Sequence, residues 1–201
     1  MIGTVTLRYI AFAFVILTIF SVWAVATTVS VQTVDKQQEV GIVQVLYFED
    51  SSLASTTNPS VNTETSQPSG TGDSVITRGS AASLWSPSFP SGKSLPRGNI
   101  ALDFWALAKK STNLVVFVNI TSSSGSLVYS FGKISLTIST SETQYELNFP
   151  TSAVEIVPAG GYISVTFSLP TGHSQATSAT VYWGVNQLTN FQIYEYEAVS
   201  L

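Results

Sequence analysis

Residues 9–31 form a continuous, mostly apolar stretch that limits what the rest of the chain can become. These 23 residues, YIAFAFVILTIFSVWAVATTVSV, include no charged side chain. Folded as an α-helix, they span roughly 34 Å, which is enough to cross the hydrocarbon core of a bilayer. The sequence therefore predicts an N-terminal hydrophobic α-helix, a stem or anchor, over residues 1–38.

Three interpretations of this stretch are open. It is a cleaved secretory signal, with Arg8 as the positive region and Ala24-Val25-Ala26 as the cleavage site. Alternatively it is a retained membrane anchor, in which Arg8 keeps Met1 in the cytoplasm and places the rest of the chain outside. In the third interpretation it is a filament stem, because small or weakly polar side chains let apolar helices approach closely. The helix-packing stripe of that stem comprises Ala11, Phe14, Thr18, Ser21, Val25 and Thr28.

The composition excludes several classes of function. Eight Lys and Arg against twelve Asp and Glu give a net charge of −4 with no basic run, which argues against nucleic-acid binding. The chain has no cysteine, one His and one Met, so thiolate metal sites, haem ligation and blue-copper sites are excluded. We therefore expect no cofactor and no metal site. Charged residues make up only 10% of the chain, and this Ser/Thr-rich composition favours an extracellular setting.

The remainder of the chain divides into three parts. Residues 39–50 contain the first predicted strand: residues 41–50 are rich in β-branched and aromatic residues, and Gly41, where this run begins, is the predicted helix stop. Residues 51–98 form a Ser/Thr/Pro/Gly-rich arm or linker, and residues 99–201 form a β-domain. The linker is either a flexible stalk or an arm that drapes over a neighbouring subunit, with Trp85 and Phe89 as arm anchors.

Short runs of β-formers recur roughly every ten residues from residue 99 onward, separated by breaks with Gly, Pro and Ser. This spacing predicts an all-β fold, an antiparallel β-sandwich of the immunoglobulin-like or jelly-roll kind, preceded by the hydrophobic helix. The predicted strands are residues 100–107, 114–121, 126–131, 134–139, 145–149, 154–157, 162–169, 179–185 and 191–199.

Few residues are candidates for chemistry. Asn119, in the sequence Asn119-Ile120-Thr121, is a glycosylation candidate. Glu195 and Glu197 alternate with tyrosines on one strand and are the only paired carboxylates that we consider for hydrolysis. His173 is expected to be a surface loop residue, since it has no second His or Cys. The sequence contains no catalytic motif, so we predict no catalytic residues.

Tryptophans are a further candidate group, because aromatic rings stack on sugars in carbohydrate-binding modules. Trp85, Trp105 and Trp183 are the candidates for this role. Trp105 and Trp183 lie inside predicted strands, and we expect both to pack in the core.

An apolar N-terminal helix followed by a Ser/Thr-rich, cysteine-free β-sandwich resembles archaeal type IV pilins and related surface-filament proteins. The resemblance implies that the helices pack into a filament core and the sandwiches coat its outside. It thereby implies that the partners are copies of the chain itself. A second resemblance is to secreted fibre subunits joined by donor strands, in which residues 28–34, freed by cleavage after Ala26, would pair with a neighbour's sheet.

Three functional hypotheses follow. The first is a non-enzymatic extracellular structural subunit, a homopolymer whose N-terminal segment is membrane-inserted or buried in a filament core. The second is a monomeric, membrane-anchored ectodomain that binds glycans or proteins. The third is an exported hydrolase that uses Glu195 and Glu197.

Overall fold

The computed structural model describes residues 37–49, 53–172 and 176–198, which form thirteen β-strands and no helix. All of the strand pairs are antiparallel, so the prediction of an all-β antiparallel fold is confirmed. The strands are β1 (Gln37–Phe48), β2 (Thr63–Glu64), β3 (Thr71–Thr77), β4 (Ala81–Trp85), β5 (Lys93–Leu95), β6 (Gly98–Ala108), β7 (Thr112–Thr121), β8 (Leu127–Ile138), β9 (Thr143–Thr151), β10 (Glu155–Val157), β11 (Tyr162–Ser168), β12 (Ser178–Gly184) and β13 (Asn190–Ala198).

The strands are arranged in two main sheets. The larger, seven-stranded sheet contains β1, β2, β3, β6, β9, β12 and β13, and the smaller one has the order β4-β11-β7-β8. A two-stranded ribbon of β5 and β10 completes the structure of the described residues. Several successive strands therefore cross from one sheet to the other, as β3 to β4, β6 to β7, β8 to β9 and β11 to β12 do.

The two sheets share one hydrophobic core, because alternate side chains of each strand point inward. In β6 the side chains of Ile100, Leu102 and Phe104 are buried, and β7 alternates in the same way. Phe104 of the larger sheet contacts Phe167 of the smaller sheet, with ring centroids 5.2 Å apart. Burying a large apolar side chain contributes roughly 1.5–3 kcal/mol, so these alternating rows are the main source of stability.

One edge of β6 is shared by two strands. Its residues 98–103 pair with β13, and its residues 105–108 pair with β12. Thr189, which is fully buried, lies at this fork. Its hydroxyl donates to the Tyr182 carbonyl oxygen at 2.6 Å and accepts from the Trp105 backbone N–H at 3.4 Å. The Thr189 carbonyl accepts from the Phe48 backbone N–H at 2.8 Å, so this residue joins β1, β6 and β12.

The prediction of an arm or linker over residues 51–98 is wrong, because this segment contributes β2–β5 to the fold. Trp85 is 0% exposed and packs edge-to-face against Tyr162, with ring centroids 5.9 Å apart, so it is not available to anchor an arm on a neighbour. Its indole N–H donates to the Ser55 carbonyl at 2.8 Å, and its backbone N–H donates to Asn62 Oδ1 at 2.7 Å. Phe89 is half-buried against the hydrophobic core that the two sheets share, with Lys93 Nζ 5.4 Å from its ring centroid.

Two boundaries also differ from the expectation. β1 begins at Gln37 and pairs with β13 from its first residue, so the predicted helix stop at Gly41 is wrong. The rest of the predicted helix, residues 1–36, lies outside the described residues. The predicted strands 126–131 and 134–139 are one strand, β8, because Gly132 adopts a φ of 109° where the pairing with β7 shifts register.

Replacing Thr189 with valine tests the importance of the fork. Thr189→Val keeps the shape but leaves the Trp105 N–H and the Tyr182 carbonyl without their hydroxyl partner. We expect a loss of about 1–3 kcal/mol in the free energy of unfolding, measured by urea denaturation of the full chain. Thr180→Val, at a half-buried position that faces outward on the same strand as Tyr182, is the matched control and should cost less than about 0.5 kcal/mol. Equal losses in the two variants would contradict the role given to Thr189.

Candidate functional site

The outer face of the larger sheet, which points away from the core, carries an aromatic pair. Tyr182 of β12 and Trp105 of β6 are directly opposite each other, so their half-buried side chains are neighbours on one face. Asp73 lies opposite Tyr182 on the other side, and Gln144 lies opposite Trp105. These four residues, which we call the aromatic row, cross four strands and span about 14 Å at the usual strand spacing.

A connected set of polar side chains lies beside the aromatic row. Asp103 of β6 is opposite Glu146 of β9 and Asn190 of β13. Gln192 Nε2 donates to Asp103 Oδ2 at 2.8 Å and to Asn190 Oδ1 at 3.0 Å. The Tyr194 hydroxyl donates to Gln192 Oε1 at 2.5 Å. We call this set the amide–carboxylate network, and its members are Asp103, Glu146, Asn148, Asn190, Gln192 and Tyr194.

The electrostatics of this face are negative. Burial raises the pKa of the Asp103 carboxyl above its usual value, and the charge of Glu146 raises it further. Burial also raises the pKa of the Tyr182 phenol, with Glu142 and Asp73 adding to the effect. In the aromatic row and the amide–carboxylate network, every charged side chain is a carboxylate. The face therefore favours neutral or cationic ligands over anions.

β8 is the outermost strand of the smaller sheet, and among the described strands it pairs only with β7. Its first residues are apolar and exposed, with Leu127 at 64% and Val128 at 51%. Tyr129 and Phe131 make an edge-to-face contact with ring centroids 5.1 Å apart. Lys133 is the sole charged side chain of β8. An apolar edge with few charges is a surface to which a further strand can be added.

A separate group of polar residues lies at the end of β1, around a cavity of about 230 Å³. Burial raises the pKa of the Glu49 carboxyl, as do its hydrogen bond with Glu64 and the charge of Glu64, while a hydrogen bond with Ser66 opposes the shift. In the part of the chain that the structure describes, no group of three His, Cys, Asp or Glu comes together. Two glutamates alone are too small a donor set for a metal site. The residues that line the cavity are Glu49, Val61, Asn62, Thr63 and Glu64.

The structure separates the three tryptophans that the sequence singles out. Trp85 is fully buried, as described above. Trp183 packs against the core and lies 5.8 Å from the Phe48 ring, directly over Gly72, where a Cβ atom would come within 2.3 Å of the indole. Trp105 lies on the outer face, so the prediction that it packs in the core is wrong.

The glycosylation candidate Asn119 lies in β7, where it is half-buried between Ser130 and Ser164 of the two neighbouring strands. Thr121, the hydroxyl residue of the same sequon, is 4% exposed. Glycan attachment at Asn119 remains a prediction. Its place in the middle of a sheet means that any glycan would project from the outer face of the smaller sheet.

Several predicted site residues lie outside the described residues. These include His173 and the whole helix-packing stripe: Ala11, Phe14, Thr18, Ser21, Val25 and Thr28. The backbones of Glu195 and Glu197 belong to β13, opposite Gly41 and Gln38, but their side chains lie outside the described part. No helix long and apolar enough to cross a membrane is found over residues 37–49, 53–172 and 176–198.

Sequence reasoning missed the aromatic row as a unit. Trp105 and Tyr182 each belong to a predicted strand, but they are far apart in the chain and meet only through the pairing of β6 with β12. The available signal was alternation: Asp103, Trp105 and Leu107 occupy every second position between buried residues. That pattern identifies an outward face but does not reveal which strand lies beside it.

Comparisons with known proteins identify only the fold. No protein-family model matches the chain, and no curated protein matches its sequence. Among solved structures, a CocE/NonD family hydrolase from Staphylococcus aureus is similar with a TM-score of 0.57 at 13% identity, covering 77% of this chain and 36% of the hydrolase.

Two further structures give the same result. An aminopeptidase from a marine sediment archaeon (Thaumarchaeota archaeon) has a TM-score of 0.53 at 8% identity, covering 75% of this chain and 36% of its own. An α-amino acid ester hydrolase has a TM-score of 0.52 at 8% identity, covering 77% and 36%. The chain thus spans about a third of the length of each of these enzymes, and at such low identity the likeness concerns the fold alone.

Asp103→Asn tests the electrostatics of the outer face. The Asp103 pKa is higher in the folded state than in the unfolded state, so folding favours the protonated carboxyl. The stability of the wild type therefore falls as pH rises from the Asp103 pKa of the unfolded chain to that of the folded chain. An amide removes the repulsion from Glu146 and still accepts from Gln192. We expect a gain of about 0.2–1 kcal/mol at neutral pH that disappears well below the usual Asp pKa, measured as Tm of the full chain across that pH range.

The control is Asp73→Asn, at an exposed position on the same face, which should change Tm by less at neutral pH. A loss of stability at neutral pH in Asp103→Asn, or a gain that persists in acid, would contradict the proposed origin of the pKa shift.

Proposed function

We propose that the chain is a non-enzymatic extracellular structural protein that assembles with copies of itself into a cell-surface filament or coat. Residues 9–31 would be inserted in the membrane before assembly or buried in the centre of the polymer. The observation that carries the proposal is the exposed edge of β8, a long strand with apolar side chains and one charge. Such edges are usually blocked in proteins that remain monomeric.

The fold fits this role as a jelly-roll β-sandwich. One set of four strands in the larger sheet has the order β3-β12-β6-β9, and the smaller sheet has the order β4-β11-β7-β8. Six of the seven connections between these eight strands cross from one sheet to the other, two of them through β5 and β10, and this supports a jelly-roll arrangement over the immunoglobulin order. β1 and β13 extend the larger sheet beyond these eight strands.

The partner at the β8 edge would be a second copy of the chain. Two identical edges can pair antiparallel about a two-fold axis, because each strand offers the same alternation of donors and acceptors. Pairing would also remove Leu127, Val128 and Tyr129 from water. The pairing of β8 with β7 shifts register at Phe131 and again at Val128, and these two irregularities, together with the charge of Lys133, favour a single register over open-ended aggregation.

The chemistry of the described residues supports a non-enzymatic role. Among the described residues, no third His, Cys, Asp or Glu joins the Glu49–Glu64 pair, and Ser66, whose hydroxyl hydrogen-bonds to these carboxylates, belongs to no nucleophile motif. The likeness to hydrolases covers about a third of those chains. A hydrolytic role for Glu195 and Glu197 therefore has less support than the structural role.

A second candidate function, a membrane-anchored module that binds glycans or proteins, is favoured by a different observation. The aromatic row exposes two neighbouring rings on the outer face of the larger sheet, away from the β8 edge. A surface-assembled protein can also carry such a binding face, so the two functions are compatible.

Val128→Lys tests the assembly surface. Full-length protein in mild detergent should form oligomers or filaments, detected by light scattering and electron microscopy. A lysine at an exposed edge position should weaken self-association at least tenfold, because a charge would have to be desolvated at the new pairing. The matched control is Val61→Lys, since Val61 is 49% exposed against 51% for Val128 and lies outside the strands.

The control should assemble as the wild type does. A wild-type chain that remains monomeric in mild detergent, or a Val128→Lys variant that assembles normally, would contradict the proposal.

A further inference from the structure

We infer that the outer face of the larger sheet is a binding site for a neutral oligosaccharide, with the Trp105 and Tyr182 rings stacked on sugar rings and the amide–carboxylate network bound to their hydroxyls. This site is separate from the β8 edge and does not depend on self-assembly. Four properties of the face carry the inference: its aromatic pair, its polar network, its charge and its division into rows.

The aromatic pair is held in place from below. Trp105 and Tyr182 occupy facing positions on adjacent strands, and the Thr189 hydroxyl bonds to the backbone of both residues. Their rings are half-buried, so each leaves part of its surface available to a ligand. Aromatic rings offer a negative face to the polarised C–H groups of a sugar ring, and a fixed pair presents two such platforms side by side.

The amide–carboxylate network supplies both kinds of hydrogen-bonding group. A sugar hydroxyl can donate to a carboxylate and accept from an amide N–H at the same time. Asp103 accepts from Gln192 with one of its carboxylate oxygens. Asn148 Nδ2 donates to Glu146 Oε1 at 3.4 Å, and Asn148 Oδ1 accepts from Asn99 Nδ2 at 2.7 Å. These mutual bonds hold the side chains in position before a ligand arrives, which lowers the entropy cost of binding.

The charge of the face selects among sugars. Asp73, Asp103 and Glu146 are all acidic, and burial of Asp103 beside Glu146 already disfavours further negative charge. A uronic-acid or sulfated sugar would add like charge at short range. A neutral sugar avoids that repulsion and still uses the carboxylates as hydrogen-bond acceptors.

The rows of side chains on this face also determine how a ligand would be oriented on it. On one side of the aromatic row, Val75, Thr180 and Leu107 are opposite one another and form a mostly apolar row. On the other side lies the amide–carboxylate network. A ligand with an apolar edge and a hydroxyl-rich edge fits this sequence of rows. A span of about 14 Å along the aromatic row accommodates more than one sugar ring.

The test uses a printed array of neutral and anionic oligosaccharides, followed by calorimetry with the neutral oligosaccharide that binds best. The full-length protein in mild detergent should bind at least one neutral oligosaccharide and should not prefer the anionic ones. Trp105→Ala should weaken that binding at least tenfold, and Trp105→Phe should restore part of it. Gln192→Ala, which removes an amide and leaves the rings in place, should weaken it about threefold to tenfold.

Phe117→Ala is the matched control, because Phe117 is a half-buried aromatic residue that alternates with the buried residues of β7 and faces outward from the smaller sheet. It should bind as the wild type does. Absence of binding to every neutral oligosaccharide on the array, a preference for anionic sugars, or unchanged affinity in folded Trp105→Ala and Gln192→Ala would overturn the inference.

The outcome is independent of the proposed assembly. Val128→Lys should keep the affinity for the oligosaccharide, and Trp105→Ala should keep the ability to self-associate. A monomeric wild type that binds the oligosaccharide would overturn only the structural proposal, while a polymer that binds none would overturn only this inference.

Discussion

The pairing of β6 on both of its edges is the constraint on which the rest of the structure depends. β9 pairs along one edge, while β13 and β12 divide the other edge between them. Such a fork leaves backbone groups unpaired where the two strands separate, and buried unpaired groups are costly. Thr189 supplies the missing partners with one hydroxyl and one carbonyl. The fork is therefore a hydrogen-bonded junction in which β1, β6, β12 and β13 have fixed positions.

The same constraint connects the core with the outer face. Because side chains alternate along β6, fixing its register places Phe104 against Phe167 on one side and Trp105 beside Tyr182 on the other. A shift by one residue would exchange the two sets, exposing the core residues and burying Asp103. The cost of that exchange is the reason why the register is well defined. Stability and the geometry of the proposed binding face thus have one origin.

Alternation and β-propensity were sufficient to predict the all-β class and most strands after residue 99. They failed over residues 51–98, since β2, β4 and β5 have five residues or fewer and β2–β5 contain no aliphatic run longer than two residues. Burial of Trp85 depends on polar partners, Ser55 and Asn62, that are distant in the chain and have no recognisable sequence pattern. Local propensity could not identify a segment that is stabilised mainly by tertiary contacts.

The site was less predictable than the fold for a related reason. Glu195 and Glu197 form a recognisable pair because they are close in sequence. The four residues of the aromatic row meet only through the strand order: Trp105, Tyr182, Asp73 and Gln144. Sheet order and register are long-range properties, and a sequence without an alignment does not encode them in any short motif. The composition shows that 11% of the residues are aromatic but not which of them face water.

Amide hydrogen exchange of the full-length protein tests the central claim most directly, which is that residues 53–98 and the strands around β6 form one cooperative core. The account predicts that peptides from β4, including the Trp85 backbone, are protected to nearly the same extent as peptides from β6. Exchange of the β4 peptides at the rate of an unstructured chain, while β6 remains protected, would contradict it.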